Sequence, residues 1–445
     1  MDFFTNLIAT PRADHLLLNR FIIIVISALF LFYISILFGW VFFSLLFISD
    51  GRAENDPVSS KFSKDLMSTF LSWNVVGIIL GILPVLVLLI TFSQNLYGTS
   101  IHIASYFLYI LILATVAYIF AVLYKNTLLK EEGNYQLQQL LGTVSVLSIV
   151  LMIYIFISTT SLILFPSRWT LIKWPLPVFF DFNIVVRFLI FFTAAFAVTG
   201  SAILFFFFNW GGGKENLDEE YENFVLKFAG GVSLVGVVGL GLLLLWDFKT
   251  FPEVALGGAY RFSLFGFPVI IDNFMIALAI VFMLLVVSLM LYSLLSKFDV
   301  SKGTQIFILF IVIIIGFSAN DNLAQDTALT EHYLYLQKLT GEMERKLEMQ
   351  REELAAPGEV SSAVGENIFN TRCFACHKFD QRLVGPPYKE TLPKYENDMD
   401  ALVKFILNPV KKNPDYPIMP NQGLTPAEAK AVAKYIMETY LSDYK

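Results

Sequence analysis

Apolar and polar positions divide the chain into three stretches with different periods. Over the first 320 residues, unbroken apolar runs alternate with charged or turn-rich breaks. Runs of about 20 residues are long enough to cross a bilayer. Eight are present: Phe21–Ser49, Leu66–Ser93, Ile101–Tyr124, Leu140–Phe165, Ile184–Phe208, Val225–Trp246, Phe274–Leu295 and Thr304–Ala319, the last being the shortest. Tryptophans near several ends (Trp40, Trp73, Trp169, Trp174, Trp210, Trp246) fit interfacial belts. Runs this long and this numerous predict a polytopic helix bundle, not the interior of a large soluble domain. The first run exceeds the apolar core of a cleavable signal peptide and is read as a retained span.

Beyond the last run the period changes. Leu329, Tyr333, Leu336, Thr340, Met343, Leu347, Gln350 and Leu354 alternate at spacings of four and three, an a/d heptad series. They predict one helix over Leu323–Leu354, with Glu342 and Lys346 as an i,i+4 pair. Standing upright at about 1.5 Å per residue, it would hold the C-terminal segment about 48 Å from the membrane. A lone apolar stripe suits docking along a partner subunit, and a solvated spacer is the alternative. Ala355-Ala356-Pro357-Gly358 ends this stalk in a hinge. The remainder has the pattern of a small soluble domain. One helix runs on from Gly365 with Ile368 and Phe369 as anchors, and another covers Asp398 to Leu407. A last one opens on a capping box, Thr425 with Glu428 and Pro426 at its first position, and carries the stripe Ala429, Val432, Ala433, Ile436, Met437. The expected architecture is therefore all-α: a bundle over 1–320, a stalk over 321–359 and a C-terminal domain over 360–445.

Two local matches share an offset near 167 residues. Arg20-Phe21 and Arg187-Phe188 open the first and fifth spans, and Leu96-Tyr97-Gly98 and Leu264-Phe265-Gly266 precede the third and seventh. They point to two four-helix units in parallel orientation, with chance matching in Phe/Leu-rich sequence as the alternative.

Charge adds orientation more than identity. The net charge is −6, and most of it falls in 321–359, so no basic face is offered to nucleic acid. With eight spans, Arg52, Lys61, Lys64, Lys125, Lys130, Lys214, Lys227, Lys297 and Lys302 share one side. They outnumber the Lys and Arg on the other, which mildly favours eight spans over seven.

The chemistry is concentrated in Cys373-Phe374-Ala375-Cys376-His377, which holds the only two cysteines of the chain. C-x-x-C-H is a c-type haem attachment pattern: two thiols bond the two vinyl groups of one porphyrin, and the adjacent histidine reaches the iron. No second C-x-x-C or histidine pair completes a zinc site, and no βαβ pattern supports a redox dithiol. Haem c is attached on the periplasmic or extracellular face, so Cys373 and the N-terminus are expected there, on a bacterial inner membrane.

With Gly385-Pro386-Pro387 after the motif and Pro417-Ile418-Met419-Pro420 before the last helix, residues 360–445 resemble a class I mono-haem cytochrome c. That resemblance implies Cys373 and Cys376 as attachment sites and His377 as the proximal ligand. It makes Pro386, less surely Pro387, the carbonyl that takes the histidine's hydrogen bond, and Met419 the sixth ligand. It also makes Gly365, Phe369 and Tyr435 a helix crossing. Met399 and Met437 sit in helical stretches and are read as core residues. His/Met ligation raises the potential and leaves no open iron site, which marks an electron carrier. One haem c is expected.

The membrane region resembles no family securely, and two four-helix units loosely resemble quinol-oxidising anchors of polysulfide-reductase type. Besides His377 the chain has only His15, His102 and His332, too few for the b haems of a bc-type cytochrome or for a haem–copper oxidase. Quinone remains open: Asn74, Gln94, His102, Tyr106 and Tyr109 offer polar groups at the second and third spans, although helix packing explains them equally well. Arg187 is expected to snorkel to the interface. The function expected is a membrane-anchored c-type cytochrome working with other membrane redox subunits and a periplasmic electron carrier. A quinol:cytochrome oxidoreductase, a structural assembly subunit and a transporter with a redox-sensing haem are the alternatives. Scarce intramembrane charge argues against the last.

Overall fold

The structure is a computed structural model that describes residues 13–70, 74–99, 101, 103–130, 134–169, 181–210, 218–250, 255, 257–264, 267–297, 302–355 and 362–445. Trp73, Trp174, His102 and the hinge residues Ala356, Pro357 and Gly358 lie outside them. Two compact units, Met1–Thr340 and Gly341–Lys445, are described in turn.

The first unit begins with α1 (Ala13–Ala53) and α2 (Pro57–Phe70). A short α3 (Asn74–Gly77) and a π turn over Ile78–Ile82 lead into α4 (Leu83–Asn95). There follow α5 (Ile103–Leu128), α6 (Tyr135–Ile163), α7 (Phe182–Phe208), α8 (Glu219–Thr250), α9 (Asn273–Lys297), α10 (Lys302–Ala328) and α11 (Thr330–Ala355). Among the described residues eight helices are long and apolar enough to cross a membrane, and the chain is a multi-pass membrane protein. Their outer faces present Ile90, Val235, Leu242, Phe282 and Leu289, side chains that lipid covers without cost.

Two apolar cores hold the bundle. One joins α1, α4, α5 and α6 with Met67 of α2 and Ile184, Phe191 and Ala195 of α7, and the other joins α7 to α10 with α1 and α2. The helices approach through small residues, as membrane helices do where no hydrophobic force drives them together. A side chain at Gly39 of α1 would collide with Thr199 of α7, whose hydroxyl donates to the Ser35 carbonyl at 3.0 Å. Gly200 and Gly236 let α7 and α8 cross, where Ser233 Oγ donates to the Ala197 carbonyl at 2.9 Å.

The structure corrects the sequence expectation at five places. Leu66 belongs not to the second span but to α2, an amphipathic helix capped by Asp56, which accepts from the Val58 and Ser59 amides. Its Phe62, Leu66 and Met67 are buried in the bundle, and the span itself covers Val75–Asn95. Trp40 is no interfacial anchor: it is fully buried against Phe206 and Phe207. Between α8 and α9 the chain makes a hairpin, β1 (Ala259–Leu264) antiparallel to β2 (Phe267–Asp272), pairing Ala259 with Asp272 and Leu264 with Phe267. The last span runs on to Ala328, because its polar end finds partners inside the bundle.

The stalk is the fifth correction. Residues 321–328 are the final turns of α10, the helix breaks at Leu329, and α11 starts afresh at Thr330. Its stripe begins on this chain's own bundle, with Leu329, Leu336 and Thr340 buried. Arg20 lies over the Tyr333 ring and pairs with Asp326 at 3.2 Å, and Tyr333 donates to the same carboxylate at 3.1 Å. Trp169 meets His332 edge to face. The stripe as far as Thr340 therefore has a partner within the chain, whereas Met343 is exposed and the side chains of Leu347, Gln350 and Leu354 lie outside the described residues.

The second unit holds α12 (Ser362–Ile368), a π turn over Phe369–Cys373, α13 (Tyr388–Thr391), α14 (Met399–Leu407) and α15 (Pro426–Asp443). α14 is capped by Asp398, and α15 has the expected capping box: the Thr425 amide donates to Glu428 at 2.7 Å and the Glu428 amide to Thr425 Oγ1 at 3.3 Å. Thr425→Ala should therefore cost about 1 kcal/mol. Thermal unfolding of the haem-loaded chain, followed in the haem absorption, measures it, and Thr425→Asp should be nearly neutral.

Candidate functional site

The C-x-x-C-H segment starts where α12 ends. The π turn, closed by the Phe374 amide on the Phe369 carbonyl at 2.8 Å, buries Phe369 and Cys373 together. The Cys376 and His377 amides then both reach the Cys373 carbonyl, at 3.1 and 3.0 Å, so the motif is one tight turn. Both cysteines are free thiols, Cys373 buried and Cys376 half-buried. Burial pushes the Cys373 thiol up to about 11. A redox dithiol needs the opposite, a thiol held low and reactive.

His377 is fixed from three sides. Its Nδ1–H donates to the Pro386 carbonyl at 3.1 Å. Only a protonated Nδ1 makes that bond, so Nε2 keeps its lone pair for a metal. The Tyr388 ring stacks on the imidazole at 5.1 Å and 16°. Gly385 covers the ring with no room for a Cβ, and its amide donates to the Cys376 carbonyl at 2.9 Å. Burial holds the imidazole below its ordinary value, hence neutral at pH 7.

Met419 comes from the irregular segment between α14 and α15, where it is half-buried. Two arginines beside the motif hold that segment. Arg372 donates to the Gln422 carbonyl at 3.2 Å, and Arg382 donates to the Asp415 carbonyl at 3.2 Å while lying over the Tyr416 ring. At Gly423 the backbone turns with φ +63°, and Asn421 receives the Gly423 amide while donating to the Leu407 carbonyl. Met437 is buried in the core and Met399 packs at its edge. Behind the motif, Gly365 lies directly on Ala431 and Tyr435 of α15, and Phe369 meets Tyr435 at 5.5 Å. Sequence reasoning overlooked Tyr388, Arg372 and Arg382. The two arginines flank the motif but gave no signal, because they bind backbone carbonyls 33 and 50 residues away.

The donor set fits a covalently held haem: two unpaired thiols at the right spacing, one imidazole with its tautomer fixed, and a thioether on a pinned loop. Elsewhere the polar residues proposed for quinone divide. Gln94 is tied to Asn19 at 3.0 Å, Tyr106 is buried, and Tyr109 faces outward. His102 and the Asn74 side chain lie outside the described residues.

Arg187 does not snorkel. It is mostly buried, with 13% of its side chain exposed, and pairs with Asp321 at 3.0 Å and Asp247 at 3.3 Å, with Ser161 Oγ at 3.4 Å. Gln325 donates to the other Asp321 oxygen at 3.0 Å. A guanidinium desolvated this far is tolerated only with its counter-charges beside it. The scarcity of intramembrane charge is thus less complete than the sequence implies.

Comparison with known proteins bears on the domain as a whole. Residues 362–439 match the Cytochrome c family model. Over 80 residues, 17% of this chain and 96% of the relative, the sequence is 38% identical to cytochrome c-551 of Pseudomonas denitrificans. Over 77 residues, 16% and 94%, it is 34% identical to cytochrome c-551 of Azotobacter vinelandii. Among solved structures, the chain is similar to the bd oxidase from Geobacillus thermodenitrificans, with a TM-score of 0.53 over 71% of this chain and 88% of that one. At 11% identity that likeness is one of fold alone. With its haem-binding turn, its pinned methionine loop and these relatives, the chain belongs, through its C-terminal domain, to the cytochrome c family.

Proposed function

We propose that the chain passes single electrons through one covalent His/Met haem on the periplasmic side of a bacterial inner membrane, as a subunit of a respiratory or photosynthetic complex. The observation that carries this reading is the His377 Nδ1 bond to Pro386, which leaves the Nε2 lone pair available to an iron, beside two cysteines at attachment spacing. A haem held there supplies an Fe(III)/Fe(II) couple. Cys373 and Cys376 would hold it covalently, and His377 and Met419 would ligate its iron. The Gly385, Pro386 and Tyr388 contacts keep the imidazole from rotating, so little rearranges as charge changes. Other membrane redox subunits and a soluble periplasmic carrier are the partners that suit such a relay, and eight spans offer more surface than a tether needs.

The reading is tested on the full chain purified in detergent. Pyridine haemochrome spectra should give one c-type haem per chain, and the ferrous protein should leave carbon monoxide unbound because no iron site is open. Rapid carbon monoxide binding would replace the electron-relay reading with gas chemistry. Cys376→Ala should yield little covalent haem, and a normal holo-protein from that variant would overturn the attachment assignment.

A further inference from the structure

The bundle holds a half-open cavity of about 680 Å³, lined by α1, α4 and α6 on one side and α7 to α10 on the other. Most of the wall is apolar. Its polar end is built from the Arg187–Asp247–Asp321 cluster and from Ser318 and Asn322 of α10. Asp321 keeps 35% of its side chain open, although it sits inside the bundle and lines this space. Asn322 is 2% exposed and Ser318 6%, yet Asn322 Oδ1 and Ser318 Oγ have no hydrogen-bond partner. Spaced four residues apart on one helix, they face the same way.

Buried polar atoms without partners are costly, and a cluster of them at the end of an apolar cavity marks the place where a ligand supplies the missing groups. Three features define that ligand. The unfilled Asn322 oxygen is an acceptor, and the Asp321 carboxylate, although each of its oxygens already receives one bond, is partly exposed and can accept another, so the ligand donates hydrogen bonds. Two carboxylates against one guanidinium disfavour an anionic head. Among the described residues that line the cavity there is no histidine, methionine or cysteine to bind a haem iron. We infer that the cavity is a binding site for a quinol-class molecule, a neutral dihydroxy-arene head with an apolar tail, whose hydroxyls meet Asp321 and Asn322. This goes beyond the electron-relay reading and does not rest on it. The site also differs from the Gln94–Tyr109 region to which the sequence points.

The test is anaerobic equilibrium binding of decylubiquinol to the detergent-purified full chain. One saturable site per chain is expected. Ala194→Phe, which fills the cavity from α7, should weaken binding at least tenfold, and Asn322→Leu about tenfold. The haem spectrum and unfolding temperature report that each variant is folded, and Ala277→Leu from α9 serves if Ala194→Phe fails to fold. The dimethyl ether of the same quinol, which cannot donate, should bind at least tenfold more weakly than the quinol. Equal binding of quinol and ether, or undiminished binding to the filled cavity, would overturn the assignment. So would absence of saturable quinol binding together with a co-purifying phospholipid that Ala194→Phe releases, which would make this a lipid site.

Discussion

Arg187→Leu should destabilise the helix bundle by about 3–5 kcal/mol, the usual cost of leaving buried charge without its partner. Asp247 and Asp321 would face each other with no cation between them, and protonation would only partly relieve them. Unfolding of the purified chain in graded denaturing detergent measures the loss. The haem absorption should stay unchanged, since the haem turn belongs to a separate compact unit. Replacing all three by apolar residues of similar size (Arg187→Leu, Asp247→Leu, Asp321→Leu) should recover most of the stability, because an uncharged cluster has nothing left to desolvate. If the single variant is as stable as its parent, the carboxylates are satisfied without the guanidinium.

Met419→His should remove the methionine-to-iron charge-transfer band and lower the haem potential, within the span of roughly 0.8 V that axial ligands command. Redox titration and near-infrared absorption read both effects. Met437→Leu is the control: it exchanges one buried apolar side chain for another, should cost less than about 1.5 kcal/mol and should leave band and potential unchanged. Survival of the band in Met419→Ala, with its loss in Met399→Leu, would transfer the ligand role to Met399.

What the sequence made legible tracks the range of the interactions. The haem turn, the Thr425–Glu428 box and the Asp398-capped helix are set by residues within a few positions of one another, so spacing alone displays them. The length of most apolar runs is likewise a local property, which is why six of the eight spans lie close to their expected places. Arg187 was misjudged because its partners lie 60 and 134 residues away. Seen alone, an arginine near the end of an apolar run belongs at the surface. The same blindness ended the last span at Ala319: Asp321, Asn322, Gln325 and Asp326 look like the beginning of water, whereas in the bundle they face one another, Arg187 and Arg20. Leu66 joined the wrong span because an amphipathic helix lying against the bundle runs, in sequence, straight into the next apolar run.

The grip of Arg372 and Arg382 on the methionine loop falls on main-chain carbonyls, a feature every amino acid supplies. Apart from Tyr416, which lies under Arg382, residues 413–418 can therefore be rewritten by mutation without releasing the loop, so long as the backbone path is kept. If Met419 is the ligand proposed above, the choice of electron partner and the tuning of the iron are separately evolvable: side chains around the loop can drift toward a new surface while the loop keeps its path.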